Sequence, residues 1–266
     1  MDFDFDLIAV PFRMQPGLRR VEAAAMRLTP LDPAVKLFAE KKAVVESGRS
    51  RQVVPGFDAG PALHAIAALG GTPQPPELAF EEDFAVLDGA TGTLPWLAVC
   101  VPSHWAPEQK LGLDFVALHA PVADNALLVA ASKQLVALAT GGDCWERHVW
   151  TLSPSPRYDQ HPLRHARTPW PAPDDADAFV QACWLRTERQ CFFPVGQGTK
   201  QAVFSIRVML QPLAEAVNSP ARAQRLRDSL ASMSQAVLDY KGLGAAQEPL
   251  LRWLSARAAR AAPVAR

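Results

Sequence analysis

The feature that most constrains the fold is a pair of long, strand-like segments on either side of residue 198. Residues 183–193 and 202–210 are rich in aromatic, β-branched and other apolar residues, a composition typical of β-strands. The segment Pro194–Lys200, which lies between them, includes two glycines. A loop of this kind joins neighbouring antiparallel strands. We therefore predict a β-hairpin within a central group of antiparallel strands.

Charged and polar residues interrupt the first of these segments. In a strand, Arg186, Glu188 and Gln190 share one face, whereas Thr187 and Arg189 point to the other. One interpretation is a solvated face with a cross-strand ion pair of small energetic value. The other is an arginine held in a pocket, where it binds a carboxylate through two parallel hydrogen bonds. The sequence leaves both open.

Helical segments are predicted before and after these strands. Asp32-Pro33 and Gly48 suit the start and the end of a helix over residues 30–47. Asp124 is a candidate cap for a second helix that continues to about Thr140 and ends at Gly141-Gly142. The C-terminal part is also predicted to be helical. Its apolar positions are spaced to share one face: Leu226, Leu230, Met233 and Val237.

Two further segments are predicted from their local composition. Glu81-Glu82-Asp83 precedes an apolar run, and we interpret it as the solvated start of a helix rather than as a cation site. The stretch between Ser153 and Asp177 contains six prolines, which favours a surface loop or flap. Helices, antiparallel strands and then more helices together indicate the α+β fold class.

Charge and hydropathy exclude several function classes. Lys and Arg total 27 and Asp and Glu total 27, so the chain lacks the basic excess that is typical of nucleic-acid and anionic-membrane proteins. It contains no run of 18 apolar residues, which argues against a transmembrane helix. The first six residues are acidic and aromatic rather than basic and then apolar, unlike a signal peptide. We expect a cytoplasmic protein that binds neither nucleic acid nor membrane.

His119 is the candidate ligand that the residues themselves suggest. It lies in the apolar segment Val116–Val122, and apolar surroundings favour the neutral form of an imidazole. A neutral imidazole is the form that binds heme iron or another metal. The alternative is a core histidine whose hydrogen bonds are satisfied within the protein, and the spacing does not decide between the two.

Several segments together resemble the heme-dependent oxidative N-demethylase α-subunit-like family. They occur in the family's order over most of the chain. They are Pro11–Met14, Leu28–Asp32, Lys41-Lys42, Glu82-Asp83, Val101–Gly112, Leu118–Val122, Arg147 with Trp150, Leu185–Gln190, Val203–Arg207 and Tyr240–Leu243. The PSHW, HAPV and LRTERQ segments are specific as a set. Two positions depart from the pattern, because Ala123 stands where we expect Pro and Val149 stands where we expect Asn.

The resemblance implies a single domain over residues 1–266, built on a PAS-like antiparallel sheet with flanking N- and C-terminal helices. It implies a bound heme b that oxidises a small dimethylated amine with O2. Electrons would come from NADPH through separate flavin and iron–sulfur subunits, and a folate-binding subunit would take up the one-carbon product. The resemblance also leaves open a heme- or gas-binding protein without turnover, and a relative that binds no heme.

The resemblance also implies roles for particular residues. His119 would be the axial ligand of the heme iron, whereas Arg186 and Arg189 would anchor the heme propionates or organise the pocket. Trp105, Arg147 and Trp150 would line the pocket, although large aromatic residues also commonly fill cores. The missing amide before Trp150 removes a hydrogen-bonding group, so the heme-binding fold is a safer expectation than a particular amine substrate.

Overall fold

The hairpin lies at the centre of one antiparallel sheet. The computed structural model describes residues 3–70, 75–172, 175–196 and 198–259. Within these ranges the sheet has seven strands in the order β1-β5-β6-β7-β3-β4-β2. The strands are β1 (Arg19–Val21), β2 (Arg51–Val53), β3 (Glu82–Asp88), β4 (Trp96–Ala98), β5 (Cys144–Ser153), β6 (Trp184–Pro194) and β7 (Gln201–Pro212). The α+β class with an antiparallel sheet is confirmed, while its PAS-like character stays a prediction.

Eleven α-helices surround the sheet in the described ranges. They are α1 (Lys36–Glu46), α2 (Gly60–Ala67), α3 (Pro76–Ala79), α4 (Phe115–His119), α5 (Ala126–Ala130), α6 (Ser132–Ala139), α7 (Ala176–Gln181), α8 (Leu213–Ala216), α9 (Pro220–Ala231), α10 (Gln235–Lys241) and α11 (Gly244–Ala259). None of these helices is long and apolar enough to span a membrane.

Helices pack on both faces of the sheet, since both faces carry apolar side chains that are buried against them. Trp150, Leu152 and Leu185 pack on the C-terminal helices α9–α11. On the opposite face, Ile206 and Val208 pack against α1. The C-terminal helices α9–α11 and the N-terminal helix α1 therefore lie on opposite faces of the sheet.

Register confirms the predicted alternation in β6. Arg186 lies opposite Thr151 and Gln190 lies opposite Arg147 on β5, so these four residues share one face. Arg189 pairs with His148 and faces the other side. The loop between β6 and β7 contains Gln197, which lies outside the described residues.

The acidic segment at residue 81 is a correction to the sequence prediction. Glu82 and Asp83 are in strand β3 and are 2% and 1% exposed. Glu82 accepts hydrogen bonds from the backbone N–H and the hydroxyl of Thr29, and Asp83 forms a buried ion pair with Lys41 of α1 at 3.1 Å. Distant partners thus stabilise these carboxylates in a strand rather than in a solvated helix start.

The predicted helix from Asp124 to Thr140 is also corrected. The chain forms two short helices, α5 and α6, which are separated at Ala131. Asp124 has a φ of 54°, and its carboxylate accepts a hydrogen bond of 2.9 Å from Ser234 rather than capping the helix. The N-cap of α5 is Asn125.

The proline-rich segment is a loop that is held in place by Asp159. Before Asp175, its described residues form no helix or strand, whereas residues 173 and 174 lie outside the described ranges. Asp159 is 3% exposed. Its carboxylate accepts hydrogen bonds from Arg164, His165 and the backbone N–H of His161 at 2.9–3.0 Å. Burial alone would raise the pKa of Asp159, but the hydrogen bond from Arg164 and its neighbours lowers that pKa overall.

We expect Asp159→Asn to loosen this loop. The substitution removes charge-assisted hydrogen bonds, each worth about 1.5–3 kcal/mol, and should make residues 154–172 sensitive to limited proteolysis. Because the pKa of Asp159 is lowered in the fold, its stabilising contribution is present above the ordinary carboxyl pKa of about 4 and is lost as the pH falls from there through the lowered pKa. Asp143→Asn, which changes an exposed pair with Arg20, is the control. Equal cleavage of both variants would contradict this role.

Candidate functional site

A largely apolar cavity lies between the sheet and helices α4–α6. The space between these elements is about 640 Å³, a figure that includes space open to solvent. The described residues that line it are Pro16, Leu18, Leu87, Leu94, Phe115, Leu118, His119, Leu128, Leu135, Ala139, Arg147, Gln190, Phe192 and Phe204. Of these, three carry polar side chains: His119, Arg147 and Gln190.

The sheet side of the cavity follows from strand register. Arg147 lies opposite Gln190, and Phe192 lies opposite Phe204. The two phenylalanine rings stack with 4.6 Å between their centroids. Side chains at alternate positions along β5, β6 and β7 therefore form one continuous wall.

His119 forms part of the opposite, helical side. It is the last residue of α4, which begins after Asp114, whose carboxylate accepts a hydrogen bond from the Ala117 N–H at 2.8 Å. The Nδ1 atom of His119 lies 2.7 Å from the carbonyl oxygen of Phe115. A carbonyl can only accept, so Nδ1 carries the proton. The ring also stacks on Phe115, with 4.1 Å between centroids.

The surroundings of His119 favour a neutral imidazole. Burial lowers its pKa, the hydrogen bond to Phe115 acts against this, and the positive charges of Arg147 and Lys110 lower it further. In the neutral ring with Nδ1 protonated, Nε2 carries a free lone pair. Nε2 makes no hydrogen bond to any residue that the structure describes. Such a nitrogen can bind a transition metal. The other ring nitrogen, Nδ1, donates to a backbone carbonyl, an arrangement common among metal-binding histidines.

Arg147 brings a positive charge into the same cavity. Its Nη1 donates a hydrogen bond of 3.3 Å to the carbonyl of Pro16. Its Nε is buried and has no hydrogen-bond partner among the described residues. Burial lowers the pKa of the guanidinium, while the negative charge of Glu188 acts in the opposite direction. A buried donor without a partner is costly, so this group suits an anionic ligand such as a carboxylate.

Gln190 belongs to a hydrogen-bonded chain on the cavity face. Its Nε2 donates a 2.6 Å hydrogen bond to Oε2 of Glu188. The other carboxylate oxygen of Glu188 accepts a hydrogen bond from the Ser103 hydroxyl. Ser103 in turn accepts one of 2.8 Å from Arg186. The chain thus runs from a fully buried arginine to the cavity wall.

The other residues that the resemblance singled out lie outside the cavity lining. Arg186 is 1% exposed and is bound to Ser103 and to the carbonyls of Val101 and Arg157, so it supports the wall. Arg189 lies on the opposite face, where its Nε pairs with Glu146.

The two tryptophans take different positions. Trp105 packs in the apolar cluster that contains the cavity residues Leu94 and Phe204, which places it beside the cavity rather than in its lining. Trp150 lies on the opposite face of the sheet, in the main core, where Phe12 packs against it edge to face. The structure therefore brings His119 and Arg147 together and separates both from Arg189 and Trp150.

Gln190 and the aromatic wall are not identifiable from the sequence alone. The strand pattern places Gln190 only on a polar face with Arg186 and Glu188. Gln190 is identified as a site residue by its position opposite Arg147, and this position is known only from the register between β5 and β6. The phenylalanines at 115, 192 and 204 carry no local signal that separates a cavity wall from a filled core.

A second, more polar cavity lies at the edge of β5. Its volume is about 510 Å³, including open solvent, and its described lining includes His104, Asp159, His165, Arg167 and Lys241. Among the described residues, no three His, Cys, Asp or Glu side chains come together in a way that could hold a metal ion. A heme iron differs in this respect, since the porphyrin supplies most of its ligands and the protein supplies an axial one.

Comparison with protein-family models identifies a family for the chain. A family model described as haem-dependent oxidative N-demethylase, alpha subunit-like, matches residues 77–251. This range includes both sides of the cavity, from Leu87 on β3 to Phe204 on β7, and covers more than half of the 266 residues. The chain therefore belongs to the haem-dependent oxidative N-demethylase alpha-subunit-like family.

Proposed function

We propose that the protein binds heme b in the cavity beside His119 and uses it to oxidise a small methylated amine with O2. The observation that carries this proposal is the geometry of His119. Its Nδ1 is fixed by the Phe115 carbonyl, burial lowers the pKa of the ring, and its Nε2 has no hydrogen-bond partner among the residues that the structure describes. Family membership supports heme dependence and oxidoreductase chemistry. The apolar lining supports a large, mostly apolar cofactor.

The cavity residues fit this cofactor in chemical type. Nε2 of His119 would bind the iron. The buried Nε of Arg147, which has no hydrogen-bond partner in the described part of the chain, would donate to a propionate. The aromatic and leucine side chains of the lining would exclude water from the site. Arg186 and Trp105 would support the wall through Ser103 and Phe204. Arg189 has no place in this scheme.

When bound, heme supplies the iron at which dioxygen is reduced. Demethylation of dimethylamine balances as one amine, one O2, two electrons and two protons giving methylamine, formaldehyde and water. The protein residues hold the amine near the iron and keep the site dry. We propose that the electrons come from NADPH through separate flavin and iron–sulfur subunits, and that a folate-binding subunit takes up the one-carbon product.

A hemin titration tests the cofactor proposal. We expect the purified protein to bind one heme per chain, with a Soret band that shifts on reduction and again on addition of carbon monoxide. A protein that binds no added hemin would overturn the proposal. With a reductase and NADPH, dimethylamine should produce formaldehyde in proportion to the O2 consumed. Gas binding without amine-dependent turnover would instead favour a heme- or gas-binding protein that is not an enzyme.

A further inference from the structure

We propose that Gln190 positions the amine, by accepting an N–H of the substrate at its side-chain oxygen Oε1. This inference rests on the proposed function and assigns a substrate contact within the cavity. It predicts that the site selects amines that carry at least one N–H and disfavours fully substituted ammonium ions.

The orientation of the Gln190 amide is fixed by its neighbour. Its amide nitrogen lies 2.6 Å from Oε2 of Glu188, and an ionised carboxylate can only accept hydrogen bonds. The NH2 group must therefore face Glu188, which excludes the flipped orientation. Oε1 is the remaining polar atom, and no residue that the structure describes donates to it. Because Gln190 lines the cavity, Oε1 is an acceptor available to a ligand.

The Glu188 carboxylate is itself held in place, so it can keep the amide in this orientation. One of its oxygens accepts from Ser103, whose position is fixed by the buried guanidinium of Arg186. The other accepts from Gln190. Glu188 thus fixes the orientation of the Gln190 amide. The negative charge of Glu188 lies next to this amide and favours a cationic ligand.

The other polar side chains of the lining cannot take this role. Arg147 has only donors and a positive charge, so it repels an ammonium ion and suits an anion. Nδ1 of His119 donates a hydrogen bond to the carbonyl of Phe115, and Nε2 is the proposed iron ligand. Within the described lining, Gln190 is therefore the side chain that can accept an N–H from an amine.

Calorimetric titration of the heme-loaded protein with dimethylammonium and with tetramethylammonium tests this role. Wild-type protein should bind dimethylammonium and should bind tetramethylammonium, which has no N–H, more weakly. Gln190→Leu should weaken dimethylammonium binding by about 10- to 100-fold, the range for a hydrogen bond to a charged group. It should leave tetramethylammonium binding unchanged. Gln190→Met, which keeps an unbranched side chain, should give the same result if Leu disturbs folding.

Gln201→Leu is the matched control. Gln201 also donates its Nε2 to a carboxylate, that of Asp88, but it lies on the opposite face of the sheet and does not line the cavity. This variant should bind dimethylammonium as wild type does. Glu188→Gln should also weaken binding, because the new amide can donate as well as accept and no longer fixes Gln190.

The outcomes separate this inference from the proposed function. If Gln190→Leu and Gln190→Met keep the heme Soret band and bind dimethylammonium within about twofold of wild type, the role of Gln190 is overturned and heme binding stands. A heme-loaded wild-type protein that binds neither cation also overturns it. If the wild-type protein binds no heme, the proposed function fails first, and the inference fails with it.

Discussion

His119→Gly is expected to purify without a heme Soret band and to regain it when imidazole is added. Nε2 of His119 is the proposed iron ligand, and removal of the ring takes away this ligand while leaving a space of the same shape. Changes to groups that merely orient a metal ligand cost about 10- to 100-fold in affinity, so loss of the ligand itself should weaken hemin binding by more than about 100-fold. Absorbance titration with hemin, with and without imidazole, measures both effects.

A second histidine provides the control. His104 lines the polar cavity and has a φ of 61°, a conformation that asparagine tolerates better than most residues. His104→Asn should therefore fold and bind heme as wild type does. If His104→Asn loses the Soret band and His119→Gly keeps it, the axial ligand has been assigned to the wrong cavity.

Lys41→Met is expected to lower the free energy of unfolding by about 3–5 kcal/mol, the cost of breaking a buried ion pair from one side. Lys41 is completely buried, donates to the carbonyls of Phe80 and Glu82 at 3.0 and 2.7 Å and pairs with Asp83. Without the ammonium, Asp83 remains a buried carboxylate whose remaining hydrogen bond comes from the Val101 N–H. Urea unfolding followed by circular dichroism measures the difference.

Two further variants distinguish charge from packing. Lys41→Met combined with Asp83→Asn removes the unpaired charge and should recover part of the lost stability. Lys42→Met changes the next residue along, whose ion pair with Glu46 is exposed, and should shift stability by less than about 1 kcal/mol. Equal losses for Lys41→Met and Lys42→Met would show that the buried pair has no special role.

The strands were predictable wherever a period of two was visible. The alternation in β6 placed Arg186 and Gln190 on one face and Arg189 on the other, and the register confirms this. The sequence could not show which face carries the cavity. Both faces of the sheet are lined with apolar residues, so alternation alone left Arg186 and Arg189 as equal candidates.

Elements that depend on distant partners were not predictable. From the sequence alone, Glu82 and Asp83 are typical of a solvated helix start. Their hydrogen bond with Thr29 and ion pair with Lys41 come from distant parts of the chain. The helix predicted from Asp124 has the expected apolar spacing, but Asp124 has a left-handed backbone conformation just before α5 and its carboxylate accepts a hydrogen bond from the distant Ser234. In both cases a long-range contact outweighs the local pattern.

The site was predictable only where local composition identifies a residue. His119 was identified by its apolar surroundings, and the structure places it in an apolar cavity with Arg147. Gln190 became visible only through its register with Arg147. Side chains from β5, β6 and α4 meet because of sheet pairing and helix packing, and neither is encoded in the spacing of any one segment.

The strand order also has a consequence for the order of events during protein synthesis. Strand β3 pairs on one side with β7. The backbone groups on that edge of β3 therefore stay unpaired until β7, more than 100 residues later in the chain, has been synthesised. The helical side of the cavity is made before β6 and β7, which supply the stacked rings of Phe192 and Phe204. A nascent chain therefore has an incomplete binding site and an unpaired strand edge for most of its translation, a state prone to aggregation. The cavity lining is complete only after Phe204 has been synthesised and β7 has paired with β3.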